Sequence, residues 1–125
     1  MRLSMTRFFF VVLMFALSRA ASGASCEWAE RFATDVASYG ERAVASNNDL
    51  EARRFARDAR SPAYDGARES KDCGCPAAIP SFEEAALQAM YADRALDITA
   101  SHQYGRRIKM LGEKALETIR SCPAK

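Results

Sequence analysis

The sequence predicts a small all-α protein, a four-helix bundle in which two helical hairpins are linked by disulfides. Alanine makes up about a fifth of residues 25–125, and β-branched residues are few, a composition that favours helix over strand. Apolar residues also recur at helical spacing in the first and last segments. Finally, four cysteines divide these residues at regular intervals, as expected for a small core that needs covalent support.

Residues 1–24 are predicted to be a secretory signal peptide. Arg2 and Arg7 precede residues 8–17, which are apolar throughout, and a run of small residues then ends at Ala24. As a helix, residues 8–17 would span about 15 Å, half of the roughly 30 Å hydrocarbon layer. We therefore expect cleavage after Ala24, a single helical domain over residues 25–125, and secretion or a periplasmic location without stable membrane insertion.

Cleavage also changes the charge of the protein. The whole chain has a formal charge of +2, and the leader carries three arginines and no acidic residue, so residues 25–125 have a charge of −1. Without the leader, the net basic charge that would suggest a nucleic-acid partner is absent. A nucleic-acid partner is therefore not expected.

Four helical segments follow from periodicity and capping signals. The first carries an apolar stripe, and the second begins at Asn48 or Asp49, which are good N-cap residues. The stripe consists of Trp28, Phe32, Val36, Tyr39 and Ala43. Pro62 is predicted to break the second helix and to begin a short helix that ends near residue 69.

The second half of the chain repeats this plan. Ser81 and Glu84 have the spacing of a capping box, which predicts that the third helix begins at Ser81. The last helix is expected to begin at Ser101 and to carry the most regular apolar stripe. That stripe consists of Tyr104, Ile108, Leu111, Ala115, Ile119 and Cys122.

The four cysteines are predicted to form two disulfides. They are Cys26, Cys73, Cys75 and Cys122, an even number behind a signal peptide. The simplest connectivity is Cys26–Cys73 with Cys75–Cys122, which closes two loops of equal length. Cys26–Cys75 with Cys73–Cys122 fits the same spacing, and a Cys73–Cys75 bond would force a small strained ring.

The loop Cys73-Gly74-Cys75-Pro76 is then expected to join the two hairpins.

The two hairpins invite the hypothesis of an internal duplication. Residues 37–44 and 89–96 share an A-x-Y-small-acid-R-A-aliphatic pattern, 52 positions apart. In a chain rich in alanine and arginine such a match can arise by chance, so both interpretations stay open.

Redox and metal chemistry are weaker interpretations of the cysteine loop. Lys71 is the nearest cation to the C-x-C pair, with Asp72 beside it, so little would stabilise a reactive thiolate. His102, Met90 and Met110 have no ligand spacing relative to the cysteines. A thiol–disulfide or metal-handling role is therefore less favoured, and neither a metal nor a cofactor is expected.

The expected role is protein–protein interaction, as an inhibitor, an immunity factor, an assembly factor or a chaperone-like factor. An enzyme is not expected, because His102 has no nucleophile at catalytic spacing and no phosphate-binding loop is present. The alternative is a carrier of a small apolar ligand between the helices. The last helix is basic, which predicts a face for an acidic protein partner formed by Arg106, Arg107, Lys109 and Lys114.

Overall fold

The computed structural model describes residues 26–123, so the predicted signal peptide and its cleavage site lie outside the described residues. Helices α1 to α5 span Glu27–Ala45, Asp49–Asp58, Arg60–Asp72, Ile79–Asp93 and Ile98–Arg120, and a 3₁₀ turn, Pro76–Ala78, leads into α4. Residues 26–123 contain no strand. The prediction of an all-α fold is confirmed.

The helices form a four-helix bundle, because α2 and α3 follow one another as a single interrupted rod. α1 packs against α5 and against the α2–α3 rod, and α4 packs against the same two elements. The interruption falls at Ala59, three residues before Pro62 and slightly earlier than expected. Pro62 has no N–H to donate to the carbonyl group of Asp58, so an unbroken helix could not form here.

The simplest disulfide connectivity is confirmed. Cys26–Cys73 joins the beginning of α1 to the end of α3, and Cys75–Cys122 joins the 3₁₀ turn to the end of α5. Gly74 lies between the two bonds with a φ angle of 83°, a left-handed conformation that favours glycine. Each hairpin is therefore closed at the same end of the bundle.

The two halves share one structural plan at a spacing of 49 residues. Cys26 and Cys73 correspond to Cys75 and Cys122, and each of the two N-caps, Asn48 and Asp97, accepts a backbone hydrogen bond from the residue three positions on. Buried positions recur with the same spacing along all the helices. The pattern shared by residues 37–44 and 89–96, which are 52 positions apart, therefore does not align equivalent positions of the two halves.

The third helix does not begin with the predicted capping box. α4 begins at Ile79, and its N-cap position, Ala78, makes no side-chain cap. Ser81 is already inside the helix and buried, while the carboxylate of Glu84 accepts a hydrogen bond from the Gln88 amide at 2.9 Å. The preceding 3₁₀ turn starts the helix early, so the S-x-x-E pattern has no capping role.

The last helix also begins earlier than expected. Asp97 caps α5 by accepting a hydrogen bond from the N–H of Ala100 at 2.8 Å. Ser101, the expected cap, is fully buried in the first turns of α5 and donates to the carboxylate of Asp49 at 2.9 Å. Ser101 therefore connects α5 to the beginning of α2.

Alanine and glycine fill most of the core. Where α1 meets α5, a Cβ atom added at Gly40 would lie 2.5 Å from the backbone nitrogen of Lys109. A Cβ atom added at Gly112 would lie 2.5 Å from the backbone nitrogen of Ala37. The two backbones are therefore in direct contact, and no space remains between them for large side chains. The largest fully buried apolar side chains of the described region are Phe82, Ile108 and Val36.

Candidate protein-interaction surface

Most aromatic side chains lie outside the core. Of the eight aromatic residues within 26–123, only Phe82 is buried. The predicted stripe on α1 is thus divided: Val36 and Ala43 face inward, whereas Trp28 is 56% exposed and Tyr39 is half-buried. Because the backbones of α1 and α5 approach closely, the rings of α1 lie on its flank, whereas the ring of Phe82 is buried against Gly66 of α3.

Three aromatic residues of α1 form a stripe together with one carboxylate. Trp28, Phe32, Asp35 and Tyr39 follow the spacing i, i+4, i+7 and i+11, so they fall within an arc of about 60° on the helix. The ring centroids of Trp28 and Phe32 are 6.3 Å apart. This stripe is displaced from the buried face of α1 toward one side of the bundle.

Three members of the stripe, Phe32, Asp35 and Tyr39, form one wall of an open groove between α1 and the α2–α3 rod, which we call the α1–α3 groove. Its volume is about 760 Å³, and Pro62 and Tyr64 of α3 form much of the opposite wall. A second hollow of about 500 Å³ shares Phe32 and Asp35 with the groove and extends to Trp28. The groove is lined by Phe32, Asp35, Tyr39, Arg57, Asp58, Arg60, Ser61, Pro62, Tyr64 and Asp65.

Arginine side chains lie over the exposed rings. The guanidinium carbon of Arg31 is 5.0 Å from the centre of the Trp28 ring, and that of Arg60 is 5.5 Å from the centre of the Tyr64 ring. Arg42 lies over Tyr39 at 5.7 Å. Tryptophan, tyrosine and arginine are the residues most enriched among those that dominate protein–protein binding energies.

Most acidic groups of the groove and of the adjoining hollow are paired with arginines. Glu27 and Glu30 lie 3.6 Å and 3.5 Å from Arg31 and Arg120, and Asp65 lies 2.9 Å from Arg68. Asp35, in the middle of the stripe, forms no ion pair within the part of the chain that the structure describes. Asp58 and Arg60 are also without ion pairs there, and their opposite charges offset each other. The groove therefore presents one uncompensated negative charge.

The second half of the chain builds the same helix pair without these rings. The residues 49 positions after Trp28, Phe32, Tyr39 and Tyr64 are Ala77, Ser81, Gln88 and Glu113. Each half nevertheless has the same disulfide closure and a closely similar pattern of buried positions, although Ser81 and Gln88 are buried where Phe32 and Tyr39 are half-buried. The aromatic rings of the groove are thus not required by the hairpin architecture.

The predicted basic face of the last helix is divided by the structure. Arg106, Arg107 and Lys114 are exposed and lie within an arc of about 100° on the outer side of α5. Lys109 lies instead on the flank that faces α1, where its ammonium group is 3.8 Å from the carboxylate of Glu41. Partner binding by the three outer residues stays a prediction.

His102 has a structural contact that sequence reasoning missed. Its Nε2–H donates to the carbonyl oxygen of Ser46 at 2.7 Å, which holds the α1–α2 turn against α5. The hydroxyl of Ser46 in turn donates to the carboxylate of Glu51 at 3.2 Å. The N-cap signal at Asn48 predicts the position of the α1–α2 turn. Nothing in the sequence indicates that this turn contacts α5 through His102.

Two structural observations bear on other kinds of site. Residues 26–123 contain no group of three or more histidine, cysteine or acidic side chains that could hold a metal ion. Across the same residues, every helix is too short or too polar to cross a membrane.

The chain matches no protein-family model, no characterised protein and no solved structure.

Proposed function

We propose that this protein is a secreted or periplasmic factor that acts by binding another protein through the α1–α3 groove. An inhibitor, an immunity factor, an assembly factor and a chaperone-like factor all belong to this class. The observation that carries the proposal is the row of the exposed Trp28 and the half-buried Phe32 and Tyr39 along one side of α1, at positions where the second half has alanine, serine and glutamine. Since the hairpin forms without rings at these positions, a binding role accounts for them.

The covalent structure supports a binding role because a disulfide joins the two helices that form the walls of the groove. The two walls of the groove are α1 and α3, and Cys26–Cys73 joins these same helices close to Trp28. A surface that is ordered before binding loses less conformational entropy when the complex forms. Aromatic side chains held in this way can contribute their full contact area to a partner.

The cysteines support an oxidising compartment. All four cysteines are in disulfides, and such bonds persist mainly in secreted and periplasmic proteins. Together with the predicted leader over residues 1–24, this favours export of the mature protein, residues 25–125.

The groove favours protein binding over the alternative of an apolar-ligand carrier. Five of its ten lining residues are charged, and it is open to solvent. Small apolar ligands are usually held in clefts that enclose most of their surface and are lined mainly by apolar side chains. The core itself is filled by alanine and glycine backbone contacts.

Affinity capture tests the proposal. Residues 25–125 with both disulfides formed would be immobilised and exposed to an extract of the envelope and to the medium of the producing cells. We expect the double variant Trp28→Ala/Tyr39→Ala to lose the captured protein. Tyr91→Ala is the matched control, since Tyr91 is 43% exposed but lies outside the groove. Circular dichroism would verify that each variant is folded.

Two other results of the capture experiment would contradict the groove as the binding surface. Capture that is unaffected by the double variant would refute the groove as the binding surface. Loss of capture with Arg106→Glu/Arg107→Glu, but not with the groove variants, would assign binding to the outer face of α5 instead.

A further inference from the structure

We infer that the α1–α3 groove binds an amphipathic helix of its partner, with a lysine or arginine of that helix placed opposite Asp35. This inference rests on the proposed function and specifies the chemistry of the partner. It follows from the charge of the groove, from the type of backbone that forms its walls, and from its length.

The charge of the groove selects a basic residue at its centre. Asp35 is exposed between Phe32 and Tyr39 and belongs to both hollows. The neighbouring acidic groups Glu30 and Asp65 are engaged by arginines of this chain, whereas Asp35 forms no ion pair among residues 26–123. A cation on the partner would supply the missing charge, and an acidic side chain there would be repelled.

The walls of the groove favour a helical occupant. Both walls are α-helices, so their backbone N–H and C=O groups are already engaged in internal hydrogen bonds. An extended peptide would find no sheet edge to extend and so would gain no backbone hydrogen bonds from the protein. A helix satisfies its own backbone and needs only side-chain contacts, as in other helix-in-groove complexes.

The length of the groove determines the spacing of the expected contacts. Phe32 and Tyr39, the two rings of α1 that line the groove, are seven residues apart, or about 10 Å, which equals two turns of helix. Asp35 lies between them, and Trp28 extends the row by one turn into the adjoining hollow. The occupant is thus expected to carry apolar residues at i and i+7 and a basic residue at i+3 or i+4.

A selection experiment tests this inference without knowledge of the natural partner. A phage-displayed library of helix-forming 16-residue peptides without tryptophan would be selected against residues 25–125. Peptides that also bind Trp28→Ala/Tyr39→Ala would be removed. We expect the remaining peptides to be enriched in lysine or arginine flanked by apolar residues at i and i+7.

Binding of a selected peptide can be followed by the protein itself, because Trp28 is the only tryptophan of the chain. Occupation of the groove should shift the emission of Trp28 to shorter wavelengths. Replacing the central basic residue of the peptide by glutamate should weaken binding about two- to fivefold, the range of an exposed ion pair. The preference for the basic peptide over its glutamate variant should disappear in Asp35→Asn and reverse in Asp35→Lys. It should also decrease with added salt.

Glu84→Lys is the matched control, because Glu84 is the counterpart of Asp35 in the second half. Glu84→Lys should leave the preference for the basic peptide over its glutamate variant unchanged. Enrichment of acidic peptides, equal binding of the glutamate peptide, or no groove-dependent peptide would overturn the inference. If the capture experiment still depends on Trp28 and Tyr39, the proposed function survives that result. If capture does not depend on them, the proposed function fails as well.

Discussion

Gly40 and Gly105 bring the backbones of α1 and α5 into contact: a Cβ atom added at Gly40 would lie 2.7 Å from the Gly105 carbonyl oxygen. This approach joins the first helix of one half to the last helix of the other. Real Cβ atoms almost never come this close to a backbone oxygen. The contact therefore makes glycine a requirement at Gly40, and it excludes large side chains from the space between α1 and α5.

Gly40→Ala is predicted to destabilise the protein by about 1–3 kcal/mol, the usual cost of overpacking a core. The gain in helix propensity, about 1 kcal/mol, is too small to compensate for a clash with backbone atoms of α5. Gly105→Ala is the matched control, because its nearest contact would be the Ala43 side chain at 3.0 Å. Urea unfolding should show a smaller loss for Gly105→Ala, and an equal or greater loss would contradict the packing described.

Ile108→Ala is predicted to lower the free energy of unfolding by about 2–5 kcal/mol, because this side chain is fully buried. Leu111→Ala should cost less, since Leu111 is only half-buried. Tyr39→Ala, in the groove, should cost less than Ile108→Ala. Thermal or denaturant unfolding would measure all three, and a loss for Tyr39→Ala as large as that for Ile108→Ala would show that the ring has a core role.

Asp97→Ala is predicted to cost about 0.5–2 kcal/mol, because it removes the side-chain cap of α5. The same change at Asn48 should cost a similar amount, because Asn48 caps α2 in the same way. Ser81→Ala is the control: Ser81 lies inside α4 and caps nothing, so its loss should be smaller. A larger effect at Ser81 than at Asp97 would restore the capping-box interpretation of the third helix.

Each disulfide joins cysteines 47 positions apart and so restricts the unfolded chain to the same extent. Removal of either one is predicted to lower the free energy of unfolding by about 4 kcal/mol. Cys75→Ala/Cys122→Ala should cost more than Cys26→Ala/Cys73→Ala. The reason is that Cys75 is fully buried, whereas the other three cysteines are half-buried. Unfolding of the two double variants would test the order, and peptide mapping without reductant would test the connectivity.

The helices and the disulfides could largely be predicted from local information. Alanine content, the periodic stripe that ends at Cys122 and the cap at Asn48 depend on residues close in sequence. The equal spacing of the cysteines favoured Cys26–Cys73, since an antiparallel hairpin brings its two ends together. The capping box at Ser81 failed because a 3₁₀ turn had already begun the helix before that residue.

The candidate site could be predicted only in part. The sequence places Trp28, Phe32 and Tyr39 on one side of α1, but an apolar stripe is normally buried, and it was expected to face the core. Likewise, Lys109 follows Arg107 by only two residues in the chain, yet it turns toward α1 and pairs with Glu41. No local pattern distinguishes a buried stripe from an exposed one.

The sequence by itself therefore determined the helical class, the positions of the helices to within a few residues, and the preferred pairing of the cysteines. Tertiary structure alone decided which apolar residues enter the core. The physical reason is the distance between helices: Gly40, Gly105 and Gly112 let α1 and α5 approach until only small side chains fit between them. The rings of α1 are thereby kept on the flank of the helix, where Phe32 and Tyr39 are half-buried against the core and line a groove that contains Asp35.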